Sequence, residues 1–332
     1  MKSYQKDYKG KTALITGGAG CVGSNLTKTL IECEAARIIV LDDLSAAEKW
    51  NIPVHPSVLF IEGSILDEEV LKRAFGEKPD FVFHLAAHFA NQNSVDNPET
   101  DLEVNGLGTL RLLEYTRLAQ TPRFVFASSG CSVYGSQAPL PLKEDYVSIH
   151  LDTPYQITKL LGELYCNFFY HNYGLPVAIA RYFNVFGPGE IPGAYRNVIP
   201  NFLYKALHHQ KLPITGTGEE TRDFTYVGDI VDGTLLLGVV PAAVGDAFNI
   251  CSETETQVIE IANIINEITG NPAGVEFIPR RDWDKITKRR ASREKAGKVL
   301  GYKPTVGVPE GIRQAYDWIM ENRENIEACA RF

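Results

Sequence analysis

The chain has 332 residues, of which 44% are apolar, enough for one large domain or two smaller ones with a buried core. Its formal charge of −8, with no large basic block, argues against partners such as nucleic acid or an anionic membrane surface. The start is polar and no apolar run reaches about 18 residues, so the sequence predicts neither a signal peptide nor a membrane span.

The cysteines and histidines show no pattern of a metal site. The six cysteines are scattered without paired spacing, and the seven histidines form no ligand cluster. We therefore expect reduced thiols in a cytoplasmic protein, with no disulfide framework and no metal ion.

Short apolar runs alternate with helix-like segments through the first half of the chain. The runs predict strands buried on both faces at 12–16, 37–42, 58–61, 81–87, 124–129 and 177–183. Helices are predicted near 22–33, 67–75, 99–119 and 155–172. This alternation predicts an α/β fold, a doubly wound parallel sheet of the Rossmann type covered by helices.

The alternation loosens after residue 184, where Pro and Gly interrupt the stretch 187–200. Residues 223–239 then look like a return to the first domain. We predict a Rossmann domain formed by 1–183 with about 223–250. A smaller, discontinuous C-terminal domain would comprise 184–222 with about 251–332.

The sequence TALITGGAGCVGSNL joins the first predicted strand to the first predicted helix. Gly18, Gly20 and Gly23 fit G-x-G-x-x-G, and Gly17, Gly20 and Gly23 fit G-x-x-G-x-x-G. Either spacing permits a tight turn and lets the backbone approach a pyrophosphate at the helix N-terminus. The strand before the turn and the helix after it make a dinucleotide site the favoured interpretation.

Two carboxylates end the second predicted strand. Asp42 lies 19 residues beyond Gly23, where it can accept hydrogen bonds from both ribose hydroxyls, and Asp43 follows it. Two carboxylates at this point would repel a 2′-phosphate, so NAD is favoured over NADP as the cofactor.

Tyr155 and Lys159 stand four residues apart on a predicted helix that Asp152 or Thr153 can cap. A lysine ammonium beside a tyrosine favours the phenolate. Bringing the pKa of a tyrosine from near 10 to about 7 takes about 4 kcal/mol, much of which the lysine and the positive nicotinamide ring could supply. Tyr155 is therefore the candidate general base.

Seven motifs in order carry a family resemblance: T-G-G-x-G-x-x-G, DDLS, FHLAA, SSxxxVYG, Y-x-x-x-K, RYFNVFGP and TRDFTYVGDIVDG. Over nearly its whole length the chain resembles the extended short-chain dehydrogenase/reductase family. Within that family it is similar to the nucleotide-sugar epimerases and dehydratases, of which UDP-galactose 4-epimerase is the best known. The resemblance implies a homodimer that binds NAD and a nucleotide-diphosphate sugar, the latter in the C-terminal domain.

The resemblance assigns roles to residues at matching positions. Tyr155 becomes the catalytic base, with Lys159 beside it. The stretch SILD at 64–67 resembles the adenine-contact motif, with Ser64 in place of the usual acid. The implied NAD-binding residues are Gly17, Gly20, Cys21, Val22, Gly23, Asp42, Asp43, Ser64, Ile65, Leu85, Ala86, Ala87, Asn105, Tyr155, Lys159 and Tyr182.

The substrate's diphosphate or nucleotide is assigned to matching positions in the second half of the chain. The basic run RRDWDKITKRR (280–290) suits a diphosphate, and either Arg280 or Arg281 matches a phosphate-binding arginine. The implied substrate-binding residues are Gly130, Cys131, Asn184, Asn197, Val198, Arg222, Arg280 and Arg281.

The stretch SSGCSVYG (128–135) departs from the family pattern. The family's Ser or Thr that contacts the sugar's 4-hydroxyl falls at Gly130, so the expected hydroxyl is missing. Ser129 and Ser132, or a water over Gly130, are the candidate replacements, and Cys131 is a weaker one because a thiol donates poorly. A glycine here is expected to leave room and to tolerate serine.

The same stretch bears on the reaction. Dehydratases of the family place Asp and Glu where Cys131 and Ser132 stand, and decarboxylases keep Glu at the second position. Their absence favours NAD-dependent epimerisation at C4 through a 4-keto intermediate. Two alternatives stay open: a dehydrogenase, dehydratase or decarboxylase of the same family, and a catalytically silent nucleotide-binding protein.

Overall fold

The structure is a computed structural model that describes residues 2–332. Its thirteen strands are β1 Thr12–Thr16, β2 Arg37–Asp42, β3 Val58–Glu62, β4 Phe81–His84, β5 Arg123–Ser129, β6 Val177–Tyr182, β7 Val185–Phe186, β8 Leu212–Thr215, β9 Thr221–Asp223, β10 Thr225–Tyr226, β11 Asp246–Ile250, β12 Glu255–Gln257 and β13 Val275–Ile278. This count, like every count or absence below, refers to the described residues.

The α-helices within residues 2–332 are α1 Gln5–Tyr8, α2 Cys21–Glu32, α3 Glu68–Gly76, α4 Asn91–Asp96, α5 Pro98–Asp101, α6 Gly108–Leu118, α7 Pro154–Tyr173, α8 Val198–Leu207, α9 Val227–Val239, α10 Val258–Thr269, α11 Glu294–Leu300, α12 Val308–Glu321 and α13 Arg323–Cys329. Short 3₁₀ turns lie at Lys49–Asn51 and Pro241–Ala243, and a π-helical turn lies at Leu102–Leu107. No helix in this part of the chain has the length and apolar character that a bilayer crossing requires.

Seven parallel strands form the main sheet in the order β11-β6-β5-β4-β1-β2-β3. The strands are continuous apolar runs because helices cover both faces, and Leu14, Ile39 and Phe124 are fully buried. The strand order reverses between β1 and β4, which are adjacent although β2 follows β1 in the chain. A crevice at the carboxyl ends of the strands is expected at such a reversal. The predicted doubly wound fold is confirmed.

Two apolar layers hold helices against the sheet. Leu26 of α2, Ile230 of α9 and Ala296 of α11 belong to the core on one face. Leu71 of α3 and Phe169 of α7 belong to the core on the other face. This two-sided covering fixes α2 and α7, the two helices whose N-terminal turns reach the crevice.

A second, smaller region has its own core. Helices α8, α10, α12 and α13 pack around it, together with the short strand pair β8–β13. The segment 294–302 lies in the range 251–332 that the sequence assigned to this region, but Ala296, Leu300 and Tyr302 pack into the core of the main sheet. Helix α11 contacts α9 and β11, which both belong to the main-sheet part of the structure.

Two predicted elements differ from the structure. The strand predicted at 81–87 ends at His84, and residues 85–90 form a loop over the crevice. The helix predicted at 99–119 is α5, the π-helical turn and α6 in succession. A π-helical turn inserts one residue per turn and is frequent at functional sites, and apolar periodicity does not reveal it.

Candidate active site

The glycine turn between β1 and α2 is shaped by close backbone contacts. Gly17 has φ +69°, and a Cβ placed there would lie 2.6 Å from the backbone nitrogen of Ala86. A Cβ on Gly23 would lie 2.4 Å from the carbonyl oxygen of Gly17. Gly20 is the N-cap of α2 and leaves the first N–H groups of that helix free of side chains. The turn therefore fits the pyrophosphate of a dinucleotide.

Asp42 ends β2 beside this turn. It is buried, and its carboxylate accepts hydrogen bonds from the backbone N–H groups of Ala19 at 3.0 Å and Leu44 at 2.9 Å. Burial raises the pKa of Asp42. Asp43 is exposed and accepts from the N–H of Ser45 at 3.0 Å. Each carboxylate oxygen of Asp42 keeps a lone pair, so a ribose hydroxyl can still donate to it.

One cavity of about 500 Å³ runs from the glycine turn to the second region. It joins the two halves of the predicted site, which supports one binding cleft for two ligands. Predicted residues that line it are Gly17, Gly20, Cys21, Val22, Gly23, Leu85, Ala87, Ser129, Cys131, Tyr155, Lys159, Tyr182, Asn184, Asn197, Val198, Arg222 and Arg281.

Tyr155 and Lys159 lie in the first turns of α7. Thr153, rather than Asp152, caps the helix by accepting from the N–H of Gln156. The Lys159 ammonium donates to the carbonyl of Ala127 at 2.9 Å and lies 5.6 Å from the ring centre of Tyr155. The Tyr155 hydroxyl has no hydrogen-bond partner within residues 2–332, so it remains available in the cavity.

The two side chains have displaced pKa values. Burial, and after it the nearby Asp101 and Cys131, raise the pKa of Tyr155 above its ordinary value. Burial lowers the pKa of Lys159 to about 8, against the opposing effect of Asp101. Burial is the largest cause of the raised pKa of Tyr155 in the protein without a cofactor.

Six predicted cofactor residues do not line the cavity. Asn105 is buried, and its amide accepts from the N–H of His88 at 2.8 Å and donates to Asp101 at 2.8 Å. It thereby holds the loop that follows β4 and carries Leu85 and Ala87 at the cavity. The other five are Asp42, Asp43, Ser64, Ile65 and Ala86.

The SSGCSVYG stretch places its small side chains on different sides of the backbone. Ser129 and Cys131 line the cavity, and the Cys131 thiol donates to Asn184 Oδ1 at 2.7 Å. Ser132 is fully buried outside the cavity, and its hydroxyl has no partner among the described residues. The geometry does not support Ser132 as a group that touches substrate.

The expectation of open space over Gly130 is wrong. A Cβ on this glycine would lie 2.0 Å from the ring of Phe183, which is fully buried. The phenyl ring thus occupies the volume in which a serine or a water was expected. Gly130 itself does not line the cavity, and its backbone N–H donates to the carbonyl of Tyr182 at 2.9 Å.

Basic groups gather at the opposite end from the glycine turn. Arg222 and Arg280 share Asp284, at 3.4 and 3.5 Å. The guanidinium of Arg281 lies 5.7 Å from the ring centre of Trp283. Arg281 lines the cavity and Arg280 does not, which favours Arg281 of the two predicted alternatives.

Sequence reasoning missed three buried charged residues that line the cavity, Glu190, Glu220 and Arg289. One carboxylate oxygen of Glu190 accepts a hydrogen bond from the side-chain amide of Asn197 at 2.8 Å, and burial raises the pKa of Glu190 to about 7. Arg289 is 3% exposed and belongs to the basic run at 280–290. The run predicted an anion site, but its spacing could not show that Arg281 and Arg289 line the cavity whereas Arg280 and Arg290 do not.

The fold and the cavity define a Rossmann-type dinucleotide-binding protein with a tyrosine–lysine pair at the junction of two ligand sites. Residues 13–251 match the model of the NAD dependent epimerase/dehydratase family. The chain belongs to this family.

Known proteins similar to the chain extend over almost its full length. It is 35% identical to a putative UDP-glucose 4-epimerase of Methanocaldococcus jannaschii, with 93% of this chain and 98% of the relative covered. The solved epimerase of Methanothermobacter thermautotrophicus is 57% identical, with TM-score 0.98 over 100% of this chain and 98% of that one. The enzyme WbmF of Bordetella bronchiseptica, solved with NAD+ and UDP, is 37% identical, with TM-score 0.86 over 97% and 96%.

Proposed function

We propose that the protein catalyses NAD-dependent 4-epimerisation of a nucleotide-diphosphate sugar through a 4-keto intermediate. The observation that carries the proposal is one cavity that joins the glycine turn, Tyr155 with Lys159, and a basic end around Arg222. The relatives described as UDP-glucose 4-epimerases and the neighbour solved with NAD+ and UDP support a uridine nucleotide.

The glycine turn, Asp42 and Lys159 would hold NAD, which when bound supplies the hydride acceptor and donor at C4 and a positive ring charge. The backbone N–H groups after Gly20 would bind the pyrophosphate. Asp42 would accept from the ribose, and the second carboxylate of Asp43 opposes a 2′-phosphate. With these assignments and its Y-x-x-x-K pair, the chain would also belong to the short-chain dehydrogenase/reductase family.

Tyr155 would remove the proton of the 4-hydroxyl and return it when the ketone is reduced. Its high pKa in the protein alone means that the base form needs a positive charge beside it, and Lys159 is held close enough to contribute. Ser129 and Cys131 are the side chains of the SSGCSVYG stretch that can touch the sugar. The basic end, with Asn197 and Arg222, would bind the diphosphate.

Elimination of water and decarboxylation are less well supported. Each needs an acid or base at the position of Cys131 or Ser132, but Cys131 presents a thiol to the cavity and the Ser132 hydroxyl is buried outside it. Net oxidation would require exchange of NAD at every turnover, whereas epimerisation regenerates the oxidised cofactor.

A panel of nucleotide sugars tests the proposal. Purified protein is incubated with UDP-glucose, UDP-N-acetylglucosamine and the corresponding UDP-uronates, and the products are followed by proton NMR. The expected result is conversion of at least one member to its 4-epimer without net NADH. A product of lower mass would identify a dehydratase or decarboxylase, and a bound substrate without turnover would identify a silent binding protein.

We also propose a homodimer formed through α7. Ile157, Leu164 and Phe168 are about half exposed and share one face of this helix, at spacings of seven and four. Light scattering should give a dimer for the wild type and a monomer for Leu164→Lys, while Val54→Lys, at a fully exposed site elsewhere, should stay dimeric. A dimeric Leu164→Lys would refute this interface.

The compartment and the division into domains are further parts of the proposal. The six free cysteines and the use of NAD support a cytoplasmic location. The main sheet with α11 would form the NAD domain, and the remaining C-terminal elements would close over the nucleotide sugar.

A further inference from the structure

Arg289 is a buried cation without a matching anion. Its side chain lines the cavity, and only one hydrogen bond of its guanidinium is found within residues 2–332, from Nη1 to the carbonyl of Gly130 at 2.9 Å. A guanidinium has five N–H donors, and a buried charge is normally paired. No carboxylate of the described residues lies within 4.0 Å of it.

The carboxylates around Arg289 are engaged with other cations. Asp284 pairs with Arg222 and Arg280, and Asp152 pairs with Lys285 at 3.3 Å. The free donors of Arg289 are therefore available to a ligand in the cavity.

The hydrogen bond to the carbonyl of Gly130 places Arg289 at the sugar end of the cavity, the part lined by Ser129, Cys131 and Tyr155. Gly130 follows the carboxyl end of β5, and its neighbours Ser129 and Cys131 line the cavity near Tyr155. Arg222 and Arg280 converge on Asp284. Arg289 also lies close enough to Arg222 and Asp284 to feel their charges, so it belongs to the same basic cluster and is the member of it that is anchored beside Ser129 and Cys131.

We infer that Arg289 binds a carboxylate carried by the sugar, so that the substrate is a nucleotide-diphosphate uronate rather than a neutral hexose. The planar guanidinium matches a carboxylate in two-point geometry, and the exclusion of water at this buried position strengthens the pair. The inference rests on the proposed function, because it names the substrate class of the same site.

Matched substrate pairs test this inference. UDP-glucose is compared with UDP-glucuronate, and UDP-N-acetylglucosamine with UDP-N-acetylglucosaminuronate, so that each pair differs only in oxidation at C6. The wild type is expected to epimerise the uronate of one pair with kcat/KM at least ~10-fold above that of the neutral sugar. Equal values, or preference for the neutral sugar, would overturn the inference and leave the proposed 4-epimerisation intact. No epimerisation of any of the four would count against both.

Variants of Arg289 test whether this residue causes the preference for the uronate. Arg289→Met should lower kcat/KM for the uronate by at least ~30-fold and for the neutral sugar by less than ~3-fold, and Arg289→Lys should restore part of the loss. Equal losses for both would place Arg289 at the diphosphate and contradict the inference. If Arg289→Met does not fold, calorimetry on the wild type decides, with the uronate expected to bind at least ~10-fold more tightly than the neutral sugar.

Discussion

At the glycine-turn end of the cavity, backbone contacts shape the binding surface, whereas at the sugar end side chains from distant parts of the chain shape it. Gly17 and Gly23 pack against backbone atoms within a few residues of β1, or against the adjacent β4 loop. Gly130 packs against Phe183, and its carbonyl is held by Arg289, 159 residues further on. The cofactor end is therefore constrained by the backbone, and the sugar end depends on particular side chains such as Phe183 and Arg289.

The largest expected effect comes from Tyr155, where the two ends meet. Tyr155→Phe removes the hydroxyl and little volume, so folding and NAD binding should persist while turnover falls by about 10²–10⁴-fold. Tyr115→Phe, whose hydroxyl makes a long bond to the carbonyl of Glu68 on the surface, is the matched control and should retain full activity. A loss of less than about tenfold in Tyr155→Phe would show that another group removes the proton.

Arg222→Ala should weaken ligand binding at the sugar end of the cavity without affecting the glycine-turn end. Loss of a charge-assisted hydrogen bond costs about 1.5–3 kcal/mol, so nucleotide-sugar affinity should fall by at least ~10-fold while NAD affinity stays unchanged. Calorimetry with each ligand measures this, and Arg117→Ala, at an exposed pair with Glu114, is the control. Unchanged substrate affinity would show that Arg222 does not bind the substrate and serves only to pair with Asp284.

Gly130→Ser tests whether the ring of Phe183 fills the space next to Gly130, at the sugar end of the cavity. The new side chain has to displace the ring, so we expect the free energy of unfolding to fall by about 1–3 kcal/mol in urea titration. Gly76→Ser, where a Cβ meets no atom within 4 Å, should change stability very little. Equal stability of Gly130→Ser and the wild type would mean that the ring moves aside readily and that a serine relay could be restored.

The smallest expected effect concerns pH. The folded-state pKa of Glu190, about 7, lies above the ordinary carboxyl value, so the native state binds more protons and stability declines as pH rises through this interval. Glu190→Gln keeps an oxygen that can accept from Asn197 and removes this decline. Its stability relative to the wild type should therefore increase by about 1 kcal/mol or more between pH 5 and 8. If the difference in unfolding free energy between Glu190→Gln and the wild type stayed constant from pH 5 to 8, the raised pKa of Glu190 would be contradicted.

The difference between the two ends also explains what the sequence could predict. The strand boundaries around β1, β2 and β6 follow from apolar runs, and the glycine turn follows from spacing, because both are set by neighbours in the chain. The pairing of Gly130 with Phe183 and the inward turn of Arg289 depend on packing between segments far apart in sequence. No local pattern distinguishes Arg289 from the other arginines of its basic run.

The most direct test of the proposed 4-epimerisation is to run the reaction in D₂O and to read the product by NMR and mass spectrometry. If the hydrogen at C4 leaves and returns within the closed cavity, the product is an isomer of the substrate that keeps protium at C4, and the same equilibrium is reached from either epimer. Deuterium at C4 or C5, a product lighter by water or carbon dioxide, or accumulation of NADH would contradict the account.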